Sequence, residues 1–484
     1  MHTARLGRSG GGSVASRLKG LFSAQDMTVG VIWRKLAMFA VPLLVGNIVQ
    51  QLYSTVDSIV VGKYVGDEAL AAVGASFPLF NLLLILFMGI STGAGIMVSQ
   101  YFGAKQRDEL SRTIGTTILL LLLSSAVIMA IGPAIARPLL VLLQTPANIL
   151  DACAEYMVIL FIGISGIAFY NGISGILRGM GDSLMPLVFL SITCLLNIVL
   201  DVWFVAGFGW GVAGAAWATV IAQWISSVLC VIRLARMNDV FDWRLRYIRL
   251  DRRLSPQLGK LGMPAALTQM IFSLANIVVQ TLTNSFGSDV IACATIVMRV
   301  DGFAMMPNFT FGMAMSTFVG QNAGAGKMDR VDKGARAGAR MGVAVSVALV
   351  ALMLVFGRAL MRIFTNTGPV VELSYRMLCI LSPGYVAMAV MQILCGVMRG
   401  AGDTMSPMWI SMITTVAVRT PVVYLLAYMT RSDAYPNGRP EVLMVSLLVA
   451  WGAGAVLSAA LHRRGAWRAK TIVGRKNAAA EPGG

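Results

Sequence analysis

Histidine and charged residues are scarce in this sequence. Only two of the 484 residues are histidine, His2 and His462, and both lie in terminal regions. They cannot build a histidine-based catalytic triad or an HExxH zinc site. Charged residues make up 13% of the chain and hydrophobic residues 57%, and the mean hydropathy is +0.75. This balance excludes a soluble globular protein and predicts an all-α integral membrane protein.

Cysteine is also sparse, and its spacing carries no signal. The six cysteines are scattered through apolar stretches without a CxxC pair, so neither a structural metal site nor a disulfide framework is predicted. The stretch before Met27 is rich in Gly, Ser and Arg and lacks the apolar core of a signal peptide. We expect a disordered cytosolic extension there, or translation that truly begins at Met27.

Long apolar runs dominate the rest of the chain. Runs of about 17–25 mostly apolar residues are long enough to cross a bilayer as helices. Twelve such spans, numbered here in chain order, are predicted near residues 36–62, 69–99, 113–136, 152–176, 186–207, 212–234, 261–285, 291–319, 340–364, 373–397, 405–430 and 441–462.

The net charge of +17 would suit a nucleic-acid partner, but its distribution favours a membrane topology signal. With the N-terminus inside, about thirty of the 39 Lys and Arg residues fall in the tails and even-numbered loops and about six outside. The basic runs lack the aromatics and fold motifs of a nucleic-acid module. We therefore predict a multi-pass protein of the cell (inner or plasma) membrane, with both termini cytoplasmic and no nucleic-acid partner.

An internal repeat divides the spans into two groups of six. Pro42 and Pro264 open spans 1 and 7, and Gln100 and Gln321 follow spans 2 and 8. Matching Arg-Gly-x-Gly-Asp loops begin at Arg178 and Arg399. The members of all three pairs are separated by nearly the same length of chain. Six spans return the chain to its starting side, so both copies have the same orientation and flank a central cavity.

The repeat sets the predicted domain boundaries. We expect an N-terminal bundle (N-lobe), a linker lying on the inner leaflet, and a C-terminal bundle (C-lobe), flanked by an extension and a basic tail. In chain order these are residues 1–35 (extension), 36–236 (N-lobe), 237–260 (linker), 261–462 (C-lobe) and 463–484 (tail). Within span 2, the pair Gly89 and Gly93 is typical of close helix packing.

A buried carboxylate near the outer end of span 1 requires a function. Asp57 would cost roughly 2.5–3.5 kcal/mol at the middle of a bilayer, so it must face protein or water. Asp201 in span 5 and Thr219 in span 6 lie at about the same depth, and Asn197 is one helical turn before Asp201. These groups can bind Na⁺, or share a proton because two like charges resist joint ionisation in a low dielectric. Alternatively, the acids only cap helices or hold the bundle together by hydrogen bonds.

Several stretches together resemble the multidrug and toxic compound extrusion (MATE) family of cation-coupled exporters. They are residues 50–57 (QQLYSTVD) after Pro42, the paired Arg-Gly-x-Gly-Asp loops, and residues 197–201 (NIVLD) followed by 211–219 (GVAGAAWAT). The resemblance covers the chain from about Met27 to span 12. It implies two parallel six-helix bundles arranged as a V, alternating access, and export of amphipathic or cationic organic compounds against inward H⁺ or Na⁺.

The resemblance also implies roles for individual residues. In the DinF-like branch, positions matching Asp57, Asn197, Asp201 and Thr219 form an N-lobe cation site, and Pro42 bends span 1 as the site is protonated. No catalytic residue, structural metal or cofactor other than the coupling ion is expected, although Na⁺ could sit at Asp57 and Asp201. We expect a monomer that meets small organic substrates, the coupling ion and the bilayer. The residues expected at the substrate cavity are Gln50, Tyr53, Asn81, Met305 and Met391.

The second half lacks the acids of the first. At the offset that relates Gln100 to Gln321, the positions matching Asp57, Asn197 and Asp201 are Val278, Val418 and Val422, which assigns coupling to the N-lobe. The C-lobe instead holds Arg299 and Asp301 in span 8 and Arg419 in span 11. Residues two apart on a helix do not face each other. We therefore predict an interhelical Asp301–Arg419 pair, with a role in substrate or ion handling as the alternative.

Two other functions compete with an exporter. A flippase for lipid-linked precursors, from the same superfamily, predicts a more cationic cavity and often additional spans. An intramembrane prenyltransferase-type enzyme requires two Asp-rich motifs for Mg²⁺-diphosphate, but Asp182 and Asp403 stand singly in the relevant loops. Both fit the sequence less well than the exporter does.

Overall fold

The computed structural model describes residues 24–433 and 435–473, and this part of the chain is built from helices. Eleven of its helices are long and apolar enough to cross a membrane, and a bent helix pair makes a twelfth span. The only β-type pairing among these residues is an isolated bridge between Ser432 and Tyr435. The twelve-span prediction is confirmed.

The helices extend a few residues beyond most of the predicted apolar runs. In the first half, spans 1 to 6 are Ile32–Tyr64, Asp67–Gly103, Arg107–Leu142, the pair Ala147–Ile162 and Ile164–Gly179, Leu184–Asp201 with the π-helix Val202–Gly207, and Gly211–Ala235. In the second half, spans 7 to 12 are Leu254–Ser285, Ser288–Gly324, Met328–Arg362, Gly368–Gly400, Met405–Met412 with the π-helix Ile413–Arg419 and helix Thr420–Met429, and Val442–Arg464.

Span 4 is bent by 52° between its two helices. The break is at Gly163, where an ideal Cβ would lie 2.2 Å from Cγ2 of Val220 in span 6. Only glycine allows span 6 to approach so closely. This contact helps to close the N-lobe around its own core.

Matching loops after spans 4 and 10 show the repeat in three dimensions. Gly181 and Gly402 have φ angles of +91° and +96°, which favour glycine. The aspartate after each glycine then begins the next span: Asp182 Oδ1 accepts from the backbone N–H of Met185 at 3.1 Å, and Asp403 Oδ1 accepts from that of Ser406 at 3.2 Å. Each carboxylate satisfies a backbone N–H that the start of a helix leaves unpaired.

The two lobes touch at the end where spans 2 and 8 finish, which we name the closed end. Gly89 and Gly93 pack span 2 against span 7: ideal Cβ atoms there would lie 3.1 Å from Gly262 O and 2.6 Å from Leu258 O. The small-residue prediction for this pair is thus confirmed. The same test at Gly103 gives a distance of 1.9 Å to Gln321 O in span 8. Backbone therefore meets backbone across the closed end.

Short segments outside the spans also join the closed end. Met27, before span 1, is fully buried and donates its backbone N–H to Gln321 Oε1 of the C-lobe at 2.9 Å. Ile472, after span 12, donates its N–H to Gln100 Oε1 of the N-lobe at 2.8 Å. Each segment therefore contacts the lobe at the opposite end of the sequence.

The predicted domain boundaries shift accordingly. Span 1 begins at Ile32 instead of 36, and in the segment before it Met27 and Thr28 are buried against the bundle. The linker is fixed to the start of span 3, where Arg107 pairs with Asp242 at 2.9 Å. In the tail, Trp467 is 1% exposed. Residues 1–23 and 474–484 of the predicted extension and tail lie outside the described residues.

Candidate cation site and central cavity

The predicted N-lobe residues meet between spans 5 and 6. Asn197 and Asp201 are both fully buried. With its amide oriented to satisfy its neighbours, Asn197 donates to Asp201 Oδ2 at 2.8 Å and accepts from the backbone N–H of Thr219 at 3.2 Å. The amide thus links the carboxylate of span 5 to the backbone of span 6. The spacing of four residues between Asn197 and Asp201 places them on one helix face, as predicted.

Span 1 reaches the same cluster through Tyr53. Its hydroxyl lies 3.4 Å from Thr219 Oγ1, and either atom can be the donor. Residue 57 is four positions further along the same helix, Ile32–Tyr64, so the helical register places it on the face of Tyr53, one turn nearer the outer end. The side chain of Asp57 lies outside the described residues. Asn197, Asp201, Thr219 and Tyr53 are therefore brought together, and Asp57 is placed by its backbone alone.

The helix geometry changes directly after Asp201. The α-helix Leu184–Asp201 continues as the π-helix Val202–Gly207. π-Helical turns are rare and occur often at functional sites, because the widened turn redirects side chains and weakens the regular hydrogen-bond ladder. Asp201 therefore lies directly before the irregular turns of span 5.

The ligand atoms of this cluster are all oxygens, apart from the amide nitrogen of Asn197. A carboxylate, an amide carbonyl and two hydroxyls from three spans suit a hard monovalent cation, and the carboxylate alone can carry a proton. Among the described residues, no group of three or more His, Cys, Asp or Glu side chains could hold a metal ion. Neutral oxygens would have to complete the shell of a bound Na⁺.

Pro42 lies inside span 1, and the helix continues through it. A proline in a helix has no N–H to donate to the carbonyl four residues earlier and crowds that carbonyl. Span 1 therefore carries a weak point between its inner half, which packs in the C-lobe core through Leu36 and Phe39, and its outer half, which carries Tyr53. This placement suits the predicted bending.

A cavity of about 330 Å³ lies between the lobes near the closed end. Of the five residues predicted for the substrate cavity, only Met391 lines it. Gln50, Tyr53 and Asn81 do not line it because they lie farther from the closed end along their helices. Met305 does not line it either, and its side chain packs in the C-lobe hydrophobic core.

The sequence reasoning missed several residues of this cavity. Both lobes contribute polar side chains to it: Ser91, Asn171, Arg178, Gln269, Gln392 and Arg399. Their signal was present, because Arg178 and Arg399 are repeat-related. The Arg-Gly-x-Gly-Asp motif by itself indicates only a repeated loop. Helical periodicity does not say which faces of the two bundles meet.

The predicted ion pair in the C-lobe does not form. Arg419, 7% exposed, donates from Nη1 to Asn276 Oδ1 of span 7 at 2.8 Å. No ion pair within 4.0 Å among the described residues joins it to Asp301. Both groups line one small cavity of about 80 Å³. Their similar depth in the membrane brings both groups to one cavity, but Arg419 forms its hydrogen bond with Asn276.

The remaining polar groups of this C-lobe cluster differ in their surroundings. Arg419 Nε has no hydrogen-bond partner among the described residues, and the side chain of Asp301 faces the hydroxyl of Tyr385. Arg299 is exposed and takes no part in the cluster. Residues two apart on a helix point in different directions, and Arg299 and Asp301 of span 8 accordingly lie on different faces, as predicted.

Comparison with known proteins gives a consistent result. The MatE family model matches residues 42–203 and 264–425, one match in each half of the repeat. The chain is 31% identical over 430 residues to the probable multidrug resistance protein YoeA of Bacillus subtilis, covering 87% of this chain and 93% of that protein. It is 25% identical over 403 residues to the probable multidrug resistance protein NorM of Thermotoga maritima, covering 82% and 86%.

Solved structures show the same fold at lower identity. A crystal structure of MATE in the straight conformation superimposes with a TM-score of 0.84 at 22% identity, covering 92% of this chain and 99% of that one. A crystal structure of MATE in the bent conformation also gives 0.84, at 21% identity, with coverage of 92% and 96%. Two parallel six-helix bundles around a V-shaped cavity are thus confirmed. The assignment to the DinF-like branch stays a prediction.

Proposed function

The chain belongs to the MatE family of multi-pass membrane transporters, and from this membership we propose that it is a secondary active multidrug exporter driven by H⁺ or Na⁺ through its N-lobe. It is a transporter and not an enzyme. The observation that carries the coupling proposal is the fully buried Asn197–Asp201 pair beside Thr219, since a buried carboxylate inside a lipid-embedded bundle is costly unless it handles an ion.

Ion binding changes the interactions of Asp201. While its carboxylate is charged, Oδ2 accepts from Asn197 and attracts a cation. A proton or Na⁺ removes the net negative charge and with it the attraction for nearby donors. Asp57, placed by register on the same face as Tyr53, is the second carboxylate of the proposed site. Two carboxylates that share a site in a low dielectric resist joint ionisation, which favours loading with one small cation.

Loading is transmitted to the rest of the chain through span 1. Tyr53 contacts Thr219 of the ion site in the outer half of this helix, whereas Phe39 of the inner half lines the central cavity. Pro42 lies between them, where one backbone hydrogen bond is missing. A change at the ion site can therefore bend span 1 and reshape the cavity wall. Alternating access requires such a link, because the ion must bind the two conformations with different affinity.

We propose amphipathic organic compounds as the substrate class, and the central cavity between the lobes as the place where they bind. Four methionines, Met88, Met313, Met391 and Met408, line it. Methionine side chains are flexible and polarizable, and they are common at surfaces that accept varied ligands. We also propose the orientation predicted from the basic loops, with both termini and the closed end cytoplasmic.

The test is transport by the full chain reconstituted into proteoliposomes, with a pH gradient and a Na⁺ gradient imposed separately. Rhodamine 123, a fluorescent organic cation, serves as the probe. Uptake driven by one of the two gradients is expected, and it identifies the coupling ion. Uptake that ignores both gradients would remove the coupling proposal. Absence of uptake under every gradient, with folded protein in the vesicles, would remove the proposal of a cation-driven drug exporter.

A further inference from the structure

Two arginines related by the internal repeat face the same cavity. Arg178 ends span 4 and Arg399 ends span 10, and both line the central cavity of about 330 Å³. They come from different lobes, so the cavity receives one guanidinium group from each half of the molecule. The Arg399 Nη2 atom also lies near Gly312 of span 8, where an ideal Cβ would be 3.4 Å away.

The acids of the same two motifs are occupied by other cations. Asp182 pairs with Arg233 at 2.8 Å, and Asp403 pairs with Lys470 at 2.9 Å. None of the ion pairs within 4.0 Å among the described residues includes Arg178 or Arg399. The two arginines therefore have no carboxylate counterion in this part of the chain.

The remaining wall of the cavity adds no negative charge. Its lining contains hydroxyl and amide side chains, such as Ser316, Gln269 and Gln392, together with methionines and the aromatic rings of Phe39 and Phe309. No Asp or Glu is among the described residues that line it. The cavity thus combines an apolar surface with two cationic groups and several neutral hydrogen-bond donors.

Two guanidinium groups that share a cavity inside a membrane protein are costly unless an anion joins them. Resting on the proposed export function, we propose that this cavity binds an amphipathic organic anion, and that Arg178 and Arg399 bind its carboxylate, sulfonate or phosphate group. The planar fork of arginine suits these groups because it donates two parallel N–H bonds to two oxygens. The methionines and phenylalanines hold the apolar body of the ligand.

The experiment compares two dyes that share a xanthene ring system and carry opposite charge. Fluorescein is an anion at pH 8, and rhodamine 123 is a cation. Binding of each to the full chain in detergent is followed by fluorescence polarisation. The wild-type protein is expected to bind fluorescein, and the variant Arg178→Gln/Arg399→Gln is expected to bind it about tenfold or more weakly, because each lost guanidinium removes a charge-assisted contact.

A charge-preserving variant separates recognition from folding. Arg178→Lys/Arg399→Lys keeps both positive charges and is expected to retain most of the fluorescein affinity, with a smaller loss from the missing bidentate geometry. Monodisperse elution on size exclusion shows that each variant is folded. A variant that fails this check is replaced by the single substitution Arg178→Gln or Arg399→Gln, for which about half the effect on log Kd is expected.

Two outcomes would overturn the proposal. One is equal fluorescein affinity in the wild type and a folded Arg-to-Gln variant. The other is a wild type that binds rhodamine 123 but not fluorescein. Binding is measured without any gradient, so it is independent of the transport test. Arg-dependent fluorescein binding without gradient-driven uptake would contradict the exporter but not the anion site, whereas gradient-driven rhodamine uptake without fluorescein binding would contradict only the anion site.

Discussion

Gln100 and Gln321, separated by one repeat length, each donate a hydrogen bond to the opposite lobe. Gln100 Nε2 of span 2 donates to Gly400 O of span 10 at 2.9 Å, and Gln321 Nε2 of span 8 donates to Gly179 O of span 4 at 3.2 Å. The two acceptor glycines are also one repeat apart. Both glutamines are fully buried. The closed end is therefore held by two hydrogen bonds that are related to each other by the internal repeat.

Removing either glutamine side chain should open the closed end. Gln100→Ala leaves Gly400 O and the N–H of Ile472 without their partners, at a cost of about 2 kcal/mol to the closed state. That corresponds to a shift of about thirtyfold in the equilibrium between closed and open forms. The measurement is the distance between spin labels at exposed Lys105 and Asp329, one in each lobe, in a background without reactive cysteines.

Gln280→Ala is the matched control for this variant. Gln280 is exposed and bonds to Asn284 within its own helix at 2.9 Å, so its removal should leave the label distances as in the wild type. Unchanged distances in Gln100→Ala as well would mean that the glycine contacts alone hold the closed end.

Gly103 provides a steric test of the same end. A valine there would place Cβ 1.9 Å from Gln321 O, far inside the van der Waals contact distance. Gly103→Val is expected to insert into membranes and to lose nearly all transport, because the lobes cannot meet. Gly259→Ala, with no heavy atom within 4 Å of its Cβ, should transport normally. Wild-type transport by Gly103→Val would show that closure there is not required.

The N-lobe site predicts a defect in coupling rather than in folding. Asp57→Asn, Asp201→Asn and Asn197→Ala should each abolish the resistance that the protein confers on a drug-hypersensitive host, with membrane levels unchanged. The first two variants remove a proposed ion-binding charge, and the third removes the 2.8 Å bond to Asp201 Oδ2. Asp151→Asn, at an exposed pair with Arg137, is the control. Full resistance in Asp201→Asn would exclude its carboxylate from coupling.

The C-lobe charges predict a failed rescue. If Asp301 and Arg419 formed a direct pair, the swap Asp301→Arg/Arg419→Asp would restore what either single change loses. Arg419 is held by Asn276 at 2.8 Å instead, so exchanging the two charges does not rebuild a contact that the protein makes. We therefore expect the swapped protein to be no more stable than Arg419→Asp alone. Thermal unfolding in detergent measures this, and recovery of the wild-type Tm would restore the direct pair.

The ion pair at the end of span 4 predicts a large loss of stability. The Asp182 side chain is 1% exposed and lies 2.8 Å from Arg233. Asp182→Ala should cost about 3–5 kcal/mol, because Arg233 loses a buried counterion. The measurement is the Tm in detergent. Asp151→Asn, at an exposed pair, should leave the Tm nearly unchanged. Equal Tm values for the two variants would contradict a structural role for Asp182.

The sequence predicts the membrane spans and the repeat well because both depend on local signals. Apolar length sets each span, and the constant offset between repeat-related pairs such as Gln100 and Gln321 is visible without a structure. The cluster of Asn197, Asp201 and Thr219 was also predictable, since depth below the membrane surface follows from position within a helix. Both kinds of inference use distances along the chain.

The failures concern which faces of the two bundles meet. Asp301 and Arg419 lie at similar depths and line one cavity, yet Arg419 bonds to Asn276 instead. Met305 was assigned to a cavity wall but packs in the core, because its helix turns that face toward its own lobe. The roles of Arg178 and Arg399 depend on a surface that exists only when the two lobes are apposed. Depth along a helix is readable from sequence, whereas rotation about its axis is set by tertiary packing.

The bond from Ile472 to Gln100 has a consequence for biogenesis. Residue 472 is synthesised after all twelve spans. The Oε1 atom of Gln100 can therefore accept this hydrogen bond only when the ribosome has made nearly the whole chain. Each lobe can pack as it emerges, but this contact between the tail and the N-lobe is completed last. The closed end therefore acquires its full set of hydrogen bonds only after the final span has been synthesised.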